Sequence, residues 1–344
     1  MSTATLIPKS EQLRTRRAII VMSIMGVLII TAFVISMNTG FIKLTPFDVF
    51  KTLFGYGTAK QELILFDFRL PRIVIAVLIG AGFAVSGCVM QGLFRNPLAD
   101  PGLLGINAGA GLMVILYISF FRDNQMASPF FMPMLAFGGA ALTALLIYTL
   151  SYKRYHGLLP TRMILVGVAV QAGISALMIV LSLALDPNDY QLVQVWLAGN
   201  IYGTNWKFVL AALPWILILI PYVMYKSRTM NVLNLGEQMA TGLGSPVEKD
   251  RMKLLAAAVG LAATCVAVGG GISFVGLIGP HLARRLVGPT HQILVPASAM
   301  AGALLVIVSD TLARWAFQPS EIPTGIVIAV IGAPYFLYLL SRSK

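Results

Sequence analysis

The sequence has few charged residues and almost no cysteine. Of its 344 residues only 11% are charged and 58% are hydrophobic, whereas a soluble globular chain has about 25% charged and about 45–50% apolar residues. The two cysteines, Cys88 and Cys265, both lie inside apolar runs, so neither a disulfide framework nor a thiolate metal cluster is expected. The composition excludes an ordinary soluble protein and indicates an integral membrane protein.

Motifs of several enzyme classes are also missing. The sequence contains no G-x-x-x-x-G-K-[ST] phosphate loop, no H-E-x-x-H, no C-x-x-C and no G-x-S-x-G, which are patterns of nucleotide hydrolysis, metal sites and nucleophilic catalysis. Its three histidines, His156, His281 and His291, have no second histidine or carboxylate at ligand spacing. The sequence therefore argues against an enzyme with its own nucleotide site.

Runs that lack Asp, Glu, Lys and Arg predict where the chain crosses the membrane, because about 20 apolar residues span about 30 Å of hydrocarbon. Eight runs each fit one span: 18–37, 73–94, 102–121, 129–152, 163–185, 208–225, 286–309 and 322–341. A ninth run, 254–283, is too long for one span and contains Gly269-Gly270-Gly271. We expect it to turn at these glycines into one full span and one short span.

The distribution of positive charge predicts the orientation of these spans. With ten spans and both termini cytoplasmic, 17 of the 25 Lys and Arg residues lie inside, whereas nine spans would leave 14 inside. Because Lys and Arg concentrate on the cytoplasmic side, we predict an all-α polytopic protein with ten transmembrane helices. A cytoplasmic tail (1–17) would precede a single transmembrane domain (18–344), and the net charge of +12 would lie on the inner face.

Two connections between spans have recognisable local signals. Thr45-Pro46 predicts the start of a surface helix on the outside, with Thr45 as N-cap and proline in the first turn. RNPLADPG at 95–102 predicts a turn on the inside, where Asp100 before Pro101 can cap the start of the third span. We expect both features to be structural.

No ionisable residue is predicted in the middle of a span. Asp310 and Arg314 come closest, one helical turn apart near the outer end of the ninth span, where they can form an ion pair. A transporter driven by an ion gradient usually places such a group within the membrane. The sequence therefore favours a conduit whose energy comes from another subunit.

Four stretches follow the motifs of a known family in order and spacing. They are RLPR at 69–72 with GCVMQGLFRNPLADPGLLGINAGAG at 87–111, NLGEQMATGLG at 234–244, GGGISFVGLIGPHLARRLVGPTHQILVPASAMAGALLVIVSD at 269–310, and EIPTGIVIAVIGAPYFLYLL at 321–340. The chain resembles the permease subunits of bacterial ABC importers for iron-siderophore, haem and cobalamin. FDFRLPR and VWLAGNIYGTNW are most similar to ferric-siderophore permeases of Gram-positive bacteria.

The resemblance implies a set of partners and a fold. The family's fold has ten helices with both termini cytoplasmic, and spans two to five and seven to ten form an inverted repeat. The implied partners are a second permease subunit, identical or homologous, two ABC ATPase subunits that use ATP and Mg, and an extracytoplasmic binding protein that delivers a ferric siderophore. No cofactor is implied for this chain itself. Haem or cobalamin remains an alternative substrate, and an ion-coupled secondary transporter is the alternative of another class.

The resemblance also assigns a coupling role to the longest inside loop, about 226–253. Residues 234–244 are similar to the helix that sits in a groove of the ATPase, and we name them the coupling segment. Its implied contacts are Leu235, Met239 and Leu243 as the apolar side and Glu237 as a polar contact, together with Ala240, Gly242 and Gly244. The alternative is an ordinary interfacial helix.

Outside and within the membrane the resemblance implies further residues. Arg69, Arg72 and Arg314 would dock acidic side chains of the binding protein; the alternatives are snorkelling for Arg72 and pairing with Asp310 or Glu321 for Arg314. Span five would line the path with Gln171 and Ser175, which share a helix face, and the turn 157–161 would form a gate at Thr161. For Gln91 and Asn107, interhelical hydrogen bonding is the favoured interpretation.

Overall fold

The computed structural model describes residues 9–40, 42, 44–121, 130–153, 157–158, 160–316 and 320–342. The helices in this part of the chain are α1 (Lys9–Asn38), α2 (Pro46–Leu53), α3 (Ala59–Glu62), α4 (Leu70–Phe94), α5 (Ile106–Phe121), α6 (Phe131–Ser151), α7 (Pro160–Ser182), α8 (Pro187–Leu197), α9 (Trp206–Tyr225), α10 (Ser227–Asn234), α11 (Glu237–Gly242), α12 (Val247–Gly269), α13 (Val275–Val287), α14 (His291–Trp315) and α15 (Thr324–Arg342). Between α6 and α7, β1 (Tyr152–Lys153) and β2 (Gly157–Leu158) form a minimal antiparallel pair.

The helices confirm the predicted all-α membrane class. Eight of the described helical segments are long and apolar enough to cross a membrane, and α5 is a shorter apolar helix. The predicted break in the ninth run is also confirmed, because α12 ends at Gly269, Gly270 has a φ of +71°, and the 13-residue α13 begins at Val275. The count of ten spans, the cytoplasmic termini and the inverted repeat stay predictions.

Helix α4 lies at the centre of the packing, and glycines let its neighbours approach. A Cβ on Gly80 would lie 2.4 Å from the carbonyl oxygen of Gly302 in α14, and one on Gly87 would lie 1.8 Å from that of Gly276 in α13. Both distances are far below van der Waals contact, so only glycine fits. Close backbone approach between small residues is how membrane helices gain packing energy without a hydrophobic driving force.

The predicted surface helix is confirmed as α2. The Thr45 hydroxyl accepts a hydrogen bond from the Asp48 amide at 3.1 Å, and the Asp48 carboxylate accepts one from the Thr45 amide at 3.0 Å, which forms a capping box. The amphipathic helix α8, after span five, was not anticipated. A π-helical turn, Leu63–Arg69, also joins α3 to α4, so one helical segment runs over Ala59–Phe94.

Candidate functional site: an arginine cavity and a coupling segment

The predicted docking residues and the coupling segment fall at opposite ends of the α4–α12 pair. These helices run antiparallel, because Ile79 packs against Gly269 whereas the Ser86 hydroxyl donates to the Ala258 carbonyl at 2.6 Å. Arg69 and the other predicted docking residues therefore lie where α4 begins and α12 ends. The coupling segment lies at the other end, before α12 begins.

A cavity of about 550 Å³ opens where α4 begins, between the connection after α1, the π-helical turn and the α8–α9 connection. All three arginines predicted to dock a binding protein line it, and its four basic residues exceed its two acidic ones. The charged residues of the wall are Lys60, Asp67, Arg69, Arg72, Arg314 and Glu321. We call this feature the arginine cavity.

Asp310 holds two of these arginines together beneath the cavity. Its Oδ1 accepts a hydrogen bond from Arg72 Nε at 3.0 Å, and its Oδ2 lies 3.1 Å from Arg314 Nε. Arg72 Nη1 also donates to Glu321 Oε2 at 2.6 Å, and its guanidinium lies 5.8 Å from the centre of the Tyr202 ring. The predicted Asp310–Arg314 pair is confirmed, and Arg72 extends it into a network across α4, α14 and the segment before α15.

The arginines also satisfy the carbonyls at the end of α1. Arg69 donates to the carbonyl oxygens of Met37 and Ile42, and Arg314 Nη1 donates to that of Thr39 at 2.9 Å. The last carbonyls of a helix have no partner within the helix, and Arg69 satisfies that of Met37 at the end of α1. The bonds to Thr39 and Ile42 hold the connection that follows α1. Arg69 is only 6% exposed and has no carboxylate partner among the described residues. The docking role of the three arginines stays a prediction.

The coupling segment has the surface that its predicted role needs. It consists of the end of α10, a turn at Gly236 and α11. Leu235, Met239 and Leu243 are 57%, 63% and 66% exposed, whereas Ala240 is fully buried. Met239 and Leu243 are four apart and lie on one side of α11 and its C-terminal end, whereas Leu235 precedes the turn at Gly236, which breaks the expected single helix. We call these three exposed apolar side chains the apolar ridge.

The remaining residues of the segment set its shape. Glu237 lies 3.4 Å from Arg251 of α12. A Cβ at Gly242 would meet no atom of the described residues within 4 Å, and Gly244 has a φ of +79°, which favours glycine. Lys226 and Asp250 form a 3.0 Å ion pair that ties the start of α10 to α12, and this bond to Asp250 raises the pKa of Lys226.

Helix α7, the predicted lining of the path, is barely covered by the rest of the chain. Only 6% of its most apolar 18-residue stretch is buried against the described residues. Gln171 is exposed and Ser175 half-buried on this helix, and Thr161 is exposed in its first turn. Part of the predicted gate turn, residue 159, lies outside the described residues. In contrast, Gln91 of α4 is buried and donates to the carbonyls of Gly276 and Leu277 at 3.4 and 3.3 Å, which confirms the interpretation as interhelical hydrogen bonding.

The turn at 95–102 is a structural element, as expected. Asp100 Oδ1 accepts from the Gly102 amide at 2.7 Å and caps a 3₁₀ turn, Pro101–Leu104, before α5 begins. The Asp100 carboxylate packs against Gly276 at the start of α13. Burial raises its pKa to about 6.

The pKa of Asp100 predicts a pH-dependent stability. Because it is raised from 3.8 to about 6, the contribution of this group to folding is complete below pH 4 and is lost as the pH rises through 6. Asp100→Asn keeps the Oδ1 acceptor and removes the charge, so at pH 8 the variant should be more stable than the parent by about 1–3 kcal/mol. Thermal midpoints at pH 5 and pH 8 measure this; a stabilisation that does not grow with pH would contradict it.

Several residues that bind the arginines of the cavity were missed by sequence reasoning. The arginines donate to oxygens of Ser36, Met37 and Thr39, and a sequence pattern does not identify backbone acceptors. Tyr202 lies over Arg72 from a loop far along the chain. Among the described residues, no three His, Cys, Asp or Glu side chains form a group that could hold a metal ion.

Comparison with known proteins agrees with this architecture. The chain is 50% identical to the iron(3+)-hydroxamate import system permease protein FhuG of Bacillus subtilis over 335 residues, which cover 96% of this chain and 99% of that protein. It is 42% identical to the iron-uptake system permease protein FeuC of the same organism, over 92% of this chain and 96% of the relative. The predicted nearness to siderophore permeases of Gram-positive bacteria is thereby confirmed.

A solved structure shows the same fold. A metal-chelate type ABC transporter in an inward-facing conformation superimposes with a TM-score of 0.81 and 31% identity, over 94% of this chain and 99% of that one. The model of the FecCD transport family matches residues 28–342. These residues include the arginine cavity, the coupling segment and all the long helices except the start of α1. The chain is a multi-pass membrane protein that belongs to the FecCD transport family.

Proposed function

We propose that this chain is the permease subunit of an ATP-driven ABC importer and that its substrate is a ferric siderophore of the hydroxamate class. The observation that carries the substrate class is the similarity, over nearly the whole chain, to the iron(3+)-hydroxamate permease. An extracytoplasmic binding protein delivers the ferric siderophore, and two ATPase subunits that use ATP and Mg supply the energy. This chain lets the substrate through the membrane and binds no nucleotide or cofactor itself.

The apolar ridge supports the placement of the ATPase. Three large apolar side chains exposed on a short segment outside the long apolar helices are costly in water, because each gains about 1.5–3 kcal/mol on burial. A groove on a partner would cover them. The predicted ten-span topology with cytoplasmic termini would put this segment in the cytoplasm, where an ATPase binds.

Helix α7 supports a second permease subunit. In a single chain the amide of Gln171 would face lipid, yet polar groups at membrane depth face protein or a water-filled cavity. A second copy, identical or homologous, placed against α7 would enclose Gln171 and Ser175 in a path between the subunits. Thr161 would then lie at the cytoplasmic mouth of the path.

Reconstitution tests the proposed function. Proteoliposomes that contain this chain, its second subunit and the cognate ATPases should accumulate radioactive ferric hydroxamate when ATP and the binding protein are present. Haem and cobalamin should not be taken up at comparable rates. Uptake driven by an ion gradient without ATPase would identify a secondary transporter, and selective uptake of haem or cobalamin would replace the siderophore as substrate.

The arginine cavity predicts an electrostatic contribution to docking. Arg69 contributes a charge that no carboxylate of the described residues neutralises directly, and such a charge attracts acidic side chains of a partner. Arg69→Gln keeps donors for the two carbonyls but removes the charge. The binding-protein concentration that half-maximally stimulates ATPase activity should rise about five- to tenfold, equivalent to about 1–1.4 kcal/mol. Arg69→Lys is the charge-preserving control, and equal behaviour of both variants would argue against docking at this site.

A further inference from the structure

A second, apolar cleft lies between the long apolar helices. It has a volume of about 210 Å³ and lies between α6, the start of α7 and the first half of α12. Its lining is aliphatic and thioether apart from the hydroxyl of Tyr148, which donates to Met252 Sδ at 3.4 Å. The lining residues are Leu104, Ala141, Ala144, Leu145, Tyr148, Met163, Met252, Leu255, Ala256 and Val259.

The surroundings of the cleft show that it opens towards lipid. Leu142, Leu146 and Leu150 of α6 are each about half exposed, at 58%, 47% and 49%, so this helix presents leucines to the hydrocarbon. At the end of α6 the rings of Tyr148 and Tyr152 stack with their centres 6.0 Å apart. Tyrosines concentrate at the level of the lipid headgroups, so they place the end of the cleft at the membrane surface.

Basic side chains lie at this end of the cleft. Lys249 precedes the lining residue Met252 by three positions, and Lys253 precedes Ala256 by three, so both follow the α12 face of the cleft. Both lysines are exposed. Arg162 adjoins Met163 in α7, and its Nη2 donates to the Leu150 carbonyl at 3.1 Å, which holds the guanidinium against the end of α6.

No carboxylate of the described residues forms an ion pair with Lys249 or Lys253. Glu248 lies beside the Tyr152 hydroxyl, and its negative charge raises the pKa of that phenol. Asp250 is paired with Lys226 on another face of α12. Three basic residues therefore face one acidic residue at the mouth of an apolar cleft, a combination that fits a phosphate headgroup above an acyl chain.

We propose that the α6–α7–α12 cleft binds an anionic phospholipid, with one acyl chain among the apolar lining residues and the phosphate at Lys249, Lys253 and Arg162. Basic pockets between transmembrane helices on the cytoplasmic side bind acidic headgroups, and burial of each methylene adds to the affinity. An apolar cleft alone would not require basic residues at its mouth, and a basic surface alone would not require an apolar cleft beneath it. The site is independent of the transport substrate.

Native mass spectrometry of the purified full-length chain in detergent tests this site. Phosphatidylglycerol and phosphatidylcholine with identical acyl chains are the probes, and glycerol 3-phosphate is the free headgroup. Phosphatidylglycerol should be retained at least about tenfold better than phosphatidylcholine, since each basic residue near a membrane contributes about fivefold. Lys249→Gln with Lys253→Gln should lower this preference to about fivefold or less, because only Arg162 remains, and Ala256→Trp should reduce retention of both lipids by filling the cleft.

Matched controls separate this site from general effects of charge. Arg14→Gln with Arg16→Gln removes the same charge from α1, and Leu142→Trp adds the same ring on the exposed face beside the cleft; both should bind lipid as the parent does. If the α1 variant loses the preference equally, the attraction is diffuse and the proposal is wrong. If glycerol 3-phosphate displaces the lipid at equal concentration, the site binds the anion alone, which also overturns it.

Discussion

Asp310→Asn should destabilise the folded chain by about 3–5 kcal/mol, the cost of breaking a buried ion pair on one side. The Asp310 side chain is 1% exposed and contacts Arg72 at 2.9 Å and Arg314 at 3.1 Å. Both arginine side chains are also buried, at 8% and 4% exposure. Without the carboxylate, two largely buried guanidinium charges would remain with one acidic partner, Glu321, at the edge.

Denaturant unfolding in detergent micelles measures the effect, and the chain offers a matched control. Glu321 contacts the same arginine at 2.6 Å, but its side chain is 32% exposed, so Glu321→Gln should cost less than about 1 kcal/mol. Asp310→Asn combined with Arg314→Met removes one of the orphaned charges and should recover part of the loss, because residues of one network are not additive. If Asp310→Asn lowers the free energy of unfolding by less than Glu321→Gln does, the Asp310 carboxylate does not hold the network together.

The sequence predicts one contact of this network and misses the rest for a physical reason. Asp310 and Arg314 are four apart in a helix, so their spacing alone indicates a pair. Arg72 and Glu321 reach the same carboxylate through the packing of α4 against α14 and the loop before α15, and no local pattern encodes that meeting. The resemblance to a family identifies the arginines as a group but does not reveal that they cap α1.

The helices themselves are more predictable than their contacts. A bilayer requires long apolar runs whose backbone is satisfied within the segment, so the eight simple runs reappear as helices. The triglycine at 269–271 correctly marks the end of α12, because glycine permits the positive φ of Gly270. The π-helical turn before α4 and helix α8 were not predicted, since short amphipathic segments at the membrane surface have no comparable constraint on length or polarity.

For the coupling segment, the sequence predicts some features and only the structure shows the others. Its resemblance to the family implies a coupling role with Leu235, Met239 and Leu243 as the apolar contacts, and the structure shows these three side chains as exposed. The fixed turn comes from backbone geometry instead, because Gly236 and Gly244 have φ values of +114° and +79°. Gly242 needs no such conformation, and open space surrounds its missing side chain. A substitution at Gly242 therefore tests coupling without straining the backbone, whereas a substitution at Gly244 also changes the turn.

Met239→Glu should lower ATP-driven uptake by at least about tenfold while the chain stays folded. Met239 lies in the middle of the apolar ridge and is 63% exposed, so a carboxylate is tolerated in the free subunit but would be buried unpaired in an ATPase groove, which is strongly unfavourable. Uptake of ferric hydroxamate into proteoliposomes and co-purification of the ATPase subunit should both fall. Met239→Leu preserves the apolar contact and is the matched control.

A bulky residue at Gly242 gives an independent measurement at the same surface. A Cβ at Gly242 has no atom of the described residues within 4 Å, so Gly242→Leu should leave thermal stability unchanged while it obstructs a closely packed groove. The same substitution at Gly244 would strain the backbone at positive φ by about 1 kcal/mol or more. A loss of uptake could then come from lower stability as well as from lost contact with the ATPase. Loss of uptake in Gly242→Leu without loss of stability therefore assigns the defect to the interface. Normal uptake in both Gly242→Leu and Met239→Glu would mean that the ATPase binds elsewhere, and the exposed ridge would then be an interfacial helix lying on the membrane.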